Sequence, residues 1–167
     1  DNRLYFSATD AEHGSELWSV DSTDTVAQTE LVADIATGSA SSDPSDYVTL
    51  DGKLYFSAET DMFGRELWVY TPTTGATLVD DIKPGSESSH PSVPKVLDGR
   101  LYFKAYDTND DRELWMYDPA RPAAGSIKVA DINPQSSSNP RDLIALNGKL
   151  YFFANDGIVR LKLWVYE

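Results

Sequence analysis

Cysteine is absent from this 167-residue chain, and histidine occurs only as His13 and His90. No disulfide can hold the fold and no thiol can act as a nucleophile. Zinc, which wants clustered Cys or His, has no ligand set. His13 lies beside Glu12, but no serine in a recognisable nucleophile context accompanies them. A Gly-rich phosphate loop is also missing. No stretch approaches the roughly 18 consecutive apolar residues that a spanning helix needs. Basic residues are few: 14 against 27 acidic ones, a formal charge of −13. A field of that sign repels phosphate backbones and anionic lipid, so nucleic acid and membrane insertion are poor expectations. Cations, neutral sugars and basic protein surfaces remain open as partners. An acidic surface is also simply soluble.

What is present begins with a core. Apolar residues make up 41% of the chain, enough to bury the interior of one domain over residues 1–167. The opening DNRLYFSATD has no basic stretch followed by an apolar run, so the chain as written carries no secretory signal. A mature secreted chain would have lost its own.

The dominant feature is a repeated segment. LYFSATDAEHGSELWSV, LYFSAETDMFGRELWVY, LYFKAYDTNDDRELWMY and LYFFANDGIVRLKLWVY begin at Leu4, Leu54, Leu101 and Leu150, giving periods of 50, 47 and 49. From each of these leucines to its Leu-Trp pair the offset is 13 in all four copies. Between the copies, Asp-Ile ends a short β-branched run at Asp34-Ile35, Asp81-Ile82 and Asp131-Ile132. A Ser-rich stretch then closes at Pro44, Pro91 or Pro140. A short apolar piece follows and meets Asp51-Gly52, Asp98-Gly99 or Asn147-Gly148. Asp-Gly and Asn-Gly between apolar runs signal type I′ hairpin turns, which need positive φ at both central positions.

Each unit therefore reads as four short antiparallel strands. In LYFSA the residues Leu, Phe and Ala share one face and Tyr and Ser the other, so the sheet is covered on both sides. Ser and Pro clusters leave no room for a substantial helix. Four-stranded units at this spacing predict an all-β fold, a β-propeller of about four blades with repeats of 47–50 residues. The units span roughly 1–46, 47–93, 94–142 and 143–167. A β-sandwich gives no reason for the period, and a solenoid wants shorter coils.

The Leu-Tyr-Phe-Ser-Ala and Glu-Leu-Trp strings, the Asp-Ile ends and the Ser-Ser…Pro connections resemble the ELWxxDGT repeat family. The resemblance covers essentially the whole chain, and it implies a large, secreted or surface-exposed bacterial protein whose biochemical role is poorly defined. There are departures. The Asp-Gly-Thr expected after the Trp survives only as Asp21-Ser22-Thr23, Thr71-Pro72-Thr73 and Asp118-Pro119-Ala120, and Lys162 replaces the Glu of the other copies.

By strand count the first and last blades are incomplete: the first unit lacks its lead strand and the last its closing strand. Open edges are association templates. A segment of a larger propeller is the preferred explanation, with self-association through the edge blades next and a four-bladed ring of unusual closure the third.

Candidate site residues each have two readings. Asp107, Asn109 and Asp111 alternate in DTNDD, as oxygen ligands for calcium do, although the Gly and bidentate Glu of a full loop are not in register. The same residue types favour turns because they bond their own backbone. Asp10 and Asp61 lie in the corresponding loops. Trp18, Trp68, Trp115 and Trp164 offer faces for sugar stacking, but a large aromatic at a fixed strand position also packs between blades. Glu16, Glu66 and Glu113 are expected to pair with a neighbouring blade's backbone or Arg. Asp34, Asp81 and Asp131 are expected to cap the turn into the Ser-rich connection. The leading expectation is a non-enzymatic extracellular module for recognition, adhesion or assembly. A glycan-binding lectin, with or without calcium, is the alternative, and a hydrolase using paired carboxylates is the third.

Overall fold

The computed structural model describes residues 2–23 and 28–167; Asp1, which aligns with the turn residue Asp51, lies outside them. The fold is all-β, with 56% of the described residues in strands. The only helical element among the described residues is a single 3₁₀ turn, Pro122–Ala124. No helix there is long and apolar enough to cross a membrane.

Among the described residues fourteen strands form four antiparallel sheets that follow chain order. The first contains β1 (Arg3–Asp10), β2 (Gly14–Asp21) and β3 (Thr29–Ala33). The second contains β4 (Ser45–Leu50), β5 (Lys53–Thr60), β6 (Gly64–Thr71) and β7 (Gly75–Asp80). The third contains β8 (Ser92–Leu97), β9 (Arg100–Tyr106), β10 (Arg112–Tyr117) and β11 (Ser126–Ala130). The last contains β12 (Arg141–Leu146), β13 (Lys149–Ala154) and β14 (Lys162–Tyr166). The two outer sheets thus have three strands and the two inner ones four.

The local chemistry explains the repeat. Asp51-Gly52, Asp98-Gly99 and Asn147-Gly148 all have positive φ at both residues, so each lead strand turns back tightly. Each lead strand is bulged near its start, between Ser45 and Val48, Ser92 and Lys95, and Arg141 and Ile144. The bulge residues Asp46, Val93 and Asp142 take positive φ. For the β-branched Val93 this is a strained conformation. The Asp46 carboxylate accepts the Val93 N–H across the junction of the second and third sheets (2.9 Å).

Neighbouring sheets bury one another. Tyr5, Leu17 and Val32 of the first sheet meet Leu54, Phe56, Ala58 and Trp68 of the second. Tyr55, Leu67 and Val69 of the second meet Leu101, Phe103 and Ala105 of the third. Tyr102, Leu114 and Met116 of the third meet Leu150, Phe152 and Ala154 of the last. A tyrosine pair marks each junction: Tyr5–Tyr70, Tyr55–Tyr117 and Tyr102–Tyr166, with ring centroids 5.7, 6.0 and 5.7 Å apart. The first and last sheets do not close on each other, since Leu4 and Leu163 both face solvent. The described residues therefore do not close into a four-bladed ring.

Candidate functional site

The repeated glutamate proves to be a clamp. Glu16, Glu66 and Glu113 start the Trp-bearing strands and are wholly buried. Their partner is not a neighbouring blade's backbone or an Arg, the pairing expected from the sequence, but the Ser-rich connection of the same repeat, leading to the next sheet. Glu16 accepts the N–H groups of Ile35 (2.8 Å), Ala36 and Ser42 and the Ser42 hydroxyl. Glu66 accepts those of Ile82, Lys83 and Ser89 (2.8 Å) and the Ser89 hydroxyl. Glu113 holds the Ser138 N–H and hydroxyl. Burial pushes Glu66 up to about 7, against the opposing pull of the Ser89 hydroxyl and the backbone donors. Glu113 is raised for the same reason. Asp34 and Asp81 then cap the turn, accepting the N–H of Gly38 and Gly85.

The hairpin loop fits under the clamped connection only because its last residue is Gly. A Cβ on Gly14 would lie 2.1 Å from the Ala40 carbonyl oxygen, and one on Gly64 2.3 Å from that of Glu87; both glycines also have positive φ. In the third hairpin Asp111 stands at this place, under a connection one residue shorter (Asp131 to Pro140).

Between each of the first two clamped connections and the hairpin loop of the next sheet runs a groove. The first, of about 390 Å³, is lined by Ala36, Ala40, Met62, Phe63 and Trp68, with Glu59 and Asp61 at its rim. The indole N–H groups of Trp18, Trp68 and Trp164 are buried without a hydrogen-bond partner among the described residues, whereas that of Trp115 donates to the Ala105 carbonyl (3.1 Å). The second groove, of about 520 Å³, is lined by Lys83, Glu87, His90, Tyr106 and Asp110. Lys83 crosses it, pairing with Glu87 (2.9 Å) and with Asp110. Burial and the nearby Arg65 and Arg112 hold His90 below the usual imidazole range.

The structure brings together some of the expected site residues and scatters others. Trp68 and Asp61 share the first groove. Trp68, Trp115 and Trp164 all belong to cores between sheets, while Trp18 stands half-buried on the outer face of the first sheet. Asp10 holds its own turn, accepting the N–H of Glu12 and His13 and pairing with the His13 ring (2.9 Å). That contact lowers the Asp10 carboxyl and raises the imidazole. Asp107 does the same in the third loop: it accepts from Asn109 and Asp111 N–H and pairs with Lys128 (3.0 Å). Its two oxygens are thus occupied by protein donors. No cluster of three or more His, Cys, Asp or Glu side chains suited to a metal occurs among the described residues. Comparison with protein-family models and with curated protein sequences gives no match for this chain.

Neither the clamp nor the grooves is among the expectations drawn from the sequence. A signal for the clamp was present, since Ser41-Ser42, Ser88-Ser89 and Ser137-Ser138 recur in the same three units that carry Glu.

Proposed function

We propose that this chain is a non-enzymatic recognition module, built as consecutive blades of a β-propeller and working outside the cell at a surface or in a matrix. One observation carries the reading. The clamp that frames both grooves recurs, Glu16, Ser42 and Gly14 reappearing as Glu66, Ser89 and Gly64, while the residues lining the grooves change from apolar to charged. That is the arrangement expected where a rigid frame presents variable contact surfaces. The extracellular placement rests on the resemblance to secreted and surface repeat proteins.

A carbohydrate-binding reading is favoured by the first groove. It combines an apolar floor of Ala36, Met62, Phe63 and Trp68 with carboxylates at its rim, the mixture that neutral sugars use. A glycan array probed with the chain, with calcium and then with chelator, tests both readings. Binding lost in Phe63→Ala places the glycan in this groove, and loss on chelation adds the cation to the site. An empty array removes the sugar reading. Release of reducing sugar would replace both with a hydrolytic role.

A further inference from the structure

Every junction between sheets joins the same two faces. One sheet offers the positions of Tyr55, Leu67 and Val69; the next offers those of Leu101, Phe103 and Ala105. Both kinds of face also stand uncovered at the ends of the row. On the last sheet these are Ile144, Leu146, Phe153, Leu163 and Val165, all exposed. Leu163 is 56% exposed, whereas its counterparts Leu17, Leu67 and Leu114 are 3% or less. On the first sheet the complementary face carries Leu4, Phe6, Ala8, Trp18 and Val20. Leu4 is 60% exposed, whereas Leu54, Leu101 and Leu150 are 6% or less.

Charge points the same way. Residues 1–46 carry ten acidic side chains against Arg3 alone, a net of −9. Residues 143–167 carry Lys149, Arg160 and Lys162 against Asp156 and Glu167, a net of +1. Two last sheets facing each other would present the wrong shapes, and two first sheets would also repel.

We propose that the outer face of the last sheet docks on the outer face of the first sheet of a second copy of this chain, head to tail. The three internal junctions are the template for that contact, which makes it heterologous and open to rings or filaments. Docking rests on the propeller-type packing proposed above and on no ligand, so its failure would leave the groove reading standing. One position is imperfect. Val20 occupies the place of Tyr70, Tyr117 and Tyr166, so Tyr151 would meet a valine where each internal junction has a tyrosine pair.

Sedimentation of the 167-residue chain tests this. The mass should rise with concentration above 18.5 kDa. Leu4→Asp and Leu163→Asp each change an exposed residue, so both should keep the melt of wild type at dilutions where it is monomeric, and each alone should sediment as monomer at higher concentration. Mixed together they should form a one-to-one dimer, because one variant retains a good last sheet and the other a good first sheet. Val20→Tyr should tighten association several-fold by completing the aromatic pair. A wild-type chain that remains monomeric into the millimolar range overturns the proposal and leaves the face to a further repeat or another protein. Self-association of Leu4→Asp equal to wild type also overturns it, since it would mean that last sheets pair with each other.

Discussion

The two grooves occupy the same place in consecutive repeats and have opposite chemistry. Ala36, Ala40 and Phe63 line the first where Lys83, Glu87 and Asp110 line the second. Beneath them the frame is identical: a buried Glu, a clamped Ser-rich connection and a glycine pressed against a carbonyl. The frame is held by groups that cannot change without loss, because a buried carboxylate is tolerable only when its lone pairs are filled. Apart from the buried Trp68, Ala36 and Lys83, the lining residues border solvent, which leaves them freer to differ. Stability and surface chemistry are thus assigned to different residues of one repeat.

Removing the clamp should break both grooves alike. Glu16→Ala and Glu66→Ala each remove the acceptor of four buried hydrogen bonds, and at about 1 kcal/mol per bond each should cost roughly 3–5 kcal/mol. Chemical denaturation of the two variants checks this. Equal losses support a common frame, and a loss confined to one would show that the linings matter to stability after all. Gly64→Ala comes next, at roughly 2–4 kcal/mol, since it combines positive φ with a clash against backbone that has no room to retreat. Gly14→Ala should behave in the same way.

Titration should separate the clamp from the surface charges. Glu66 is raised in the folded protein to about 7 from an ordinary value of 4.5. Between those values the folded state binds the extra proton, so the contribution of this group is full below about pH 4.5 and is lost as pH rises through 7. Stability should therefore decline across that window, Glu113 adding in the same sense. In Glu66→Gln, which keeps an acceptor oxygen but does not titrate, the decline should be shallower. An unchanged slope would assign the pH dependence to the other acids.

Much of the frame was legible in the sequence, because it is local. The Asp-Gly and Asn-Gly turns, the fixed 13-residue hairpin offset and the three-strand outer units follow from neighbours along the chain. The grooves were not, because each is made by the connection of one repeat and the hairpin loop of the next. Ala36 and Phe63 are brought together only by sheet packing. Asp107 illustrates the opposite limit. Its alternation with Asn109 and Asp111 looks like a cation loop, yet in the structure it serves its own turn and Lys128.

The smallest effect belongs to the charged lining. Lys83 raises its affinity for a proton through Asp110 and Glu87, which face it across the second groove. Both partners are exposed, so solvent and salt screen the attraction. Lys83→Ala should lower the melting temperature slightly in dilute buffer and leave it unchanged at high salt, with the Glu66 clamp intact in both. Because the lysine backbone N–H, and not its side chain, is what the clamp holds, the connection should keep its path. A large loss persisting in salt would mean that the ion pairs belong to the frame, and the division between fixed clamp and free lining would fail.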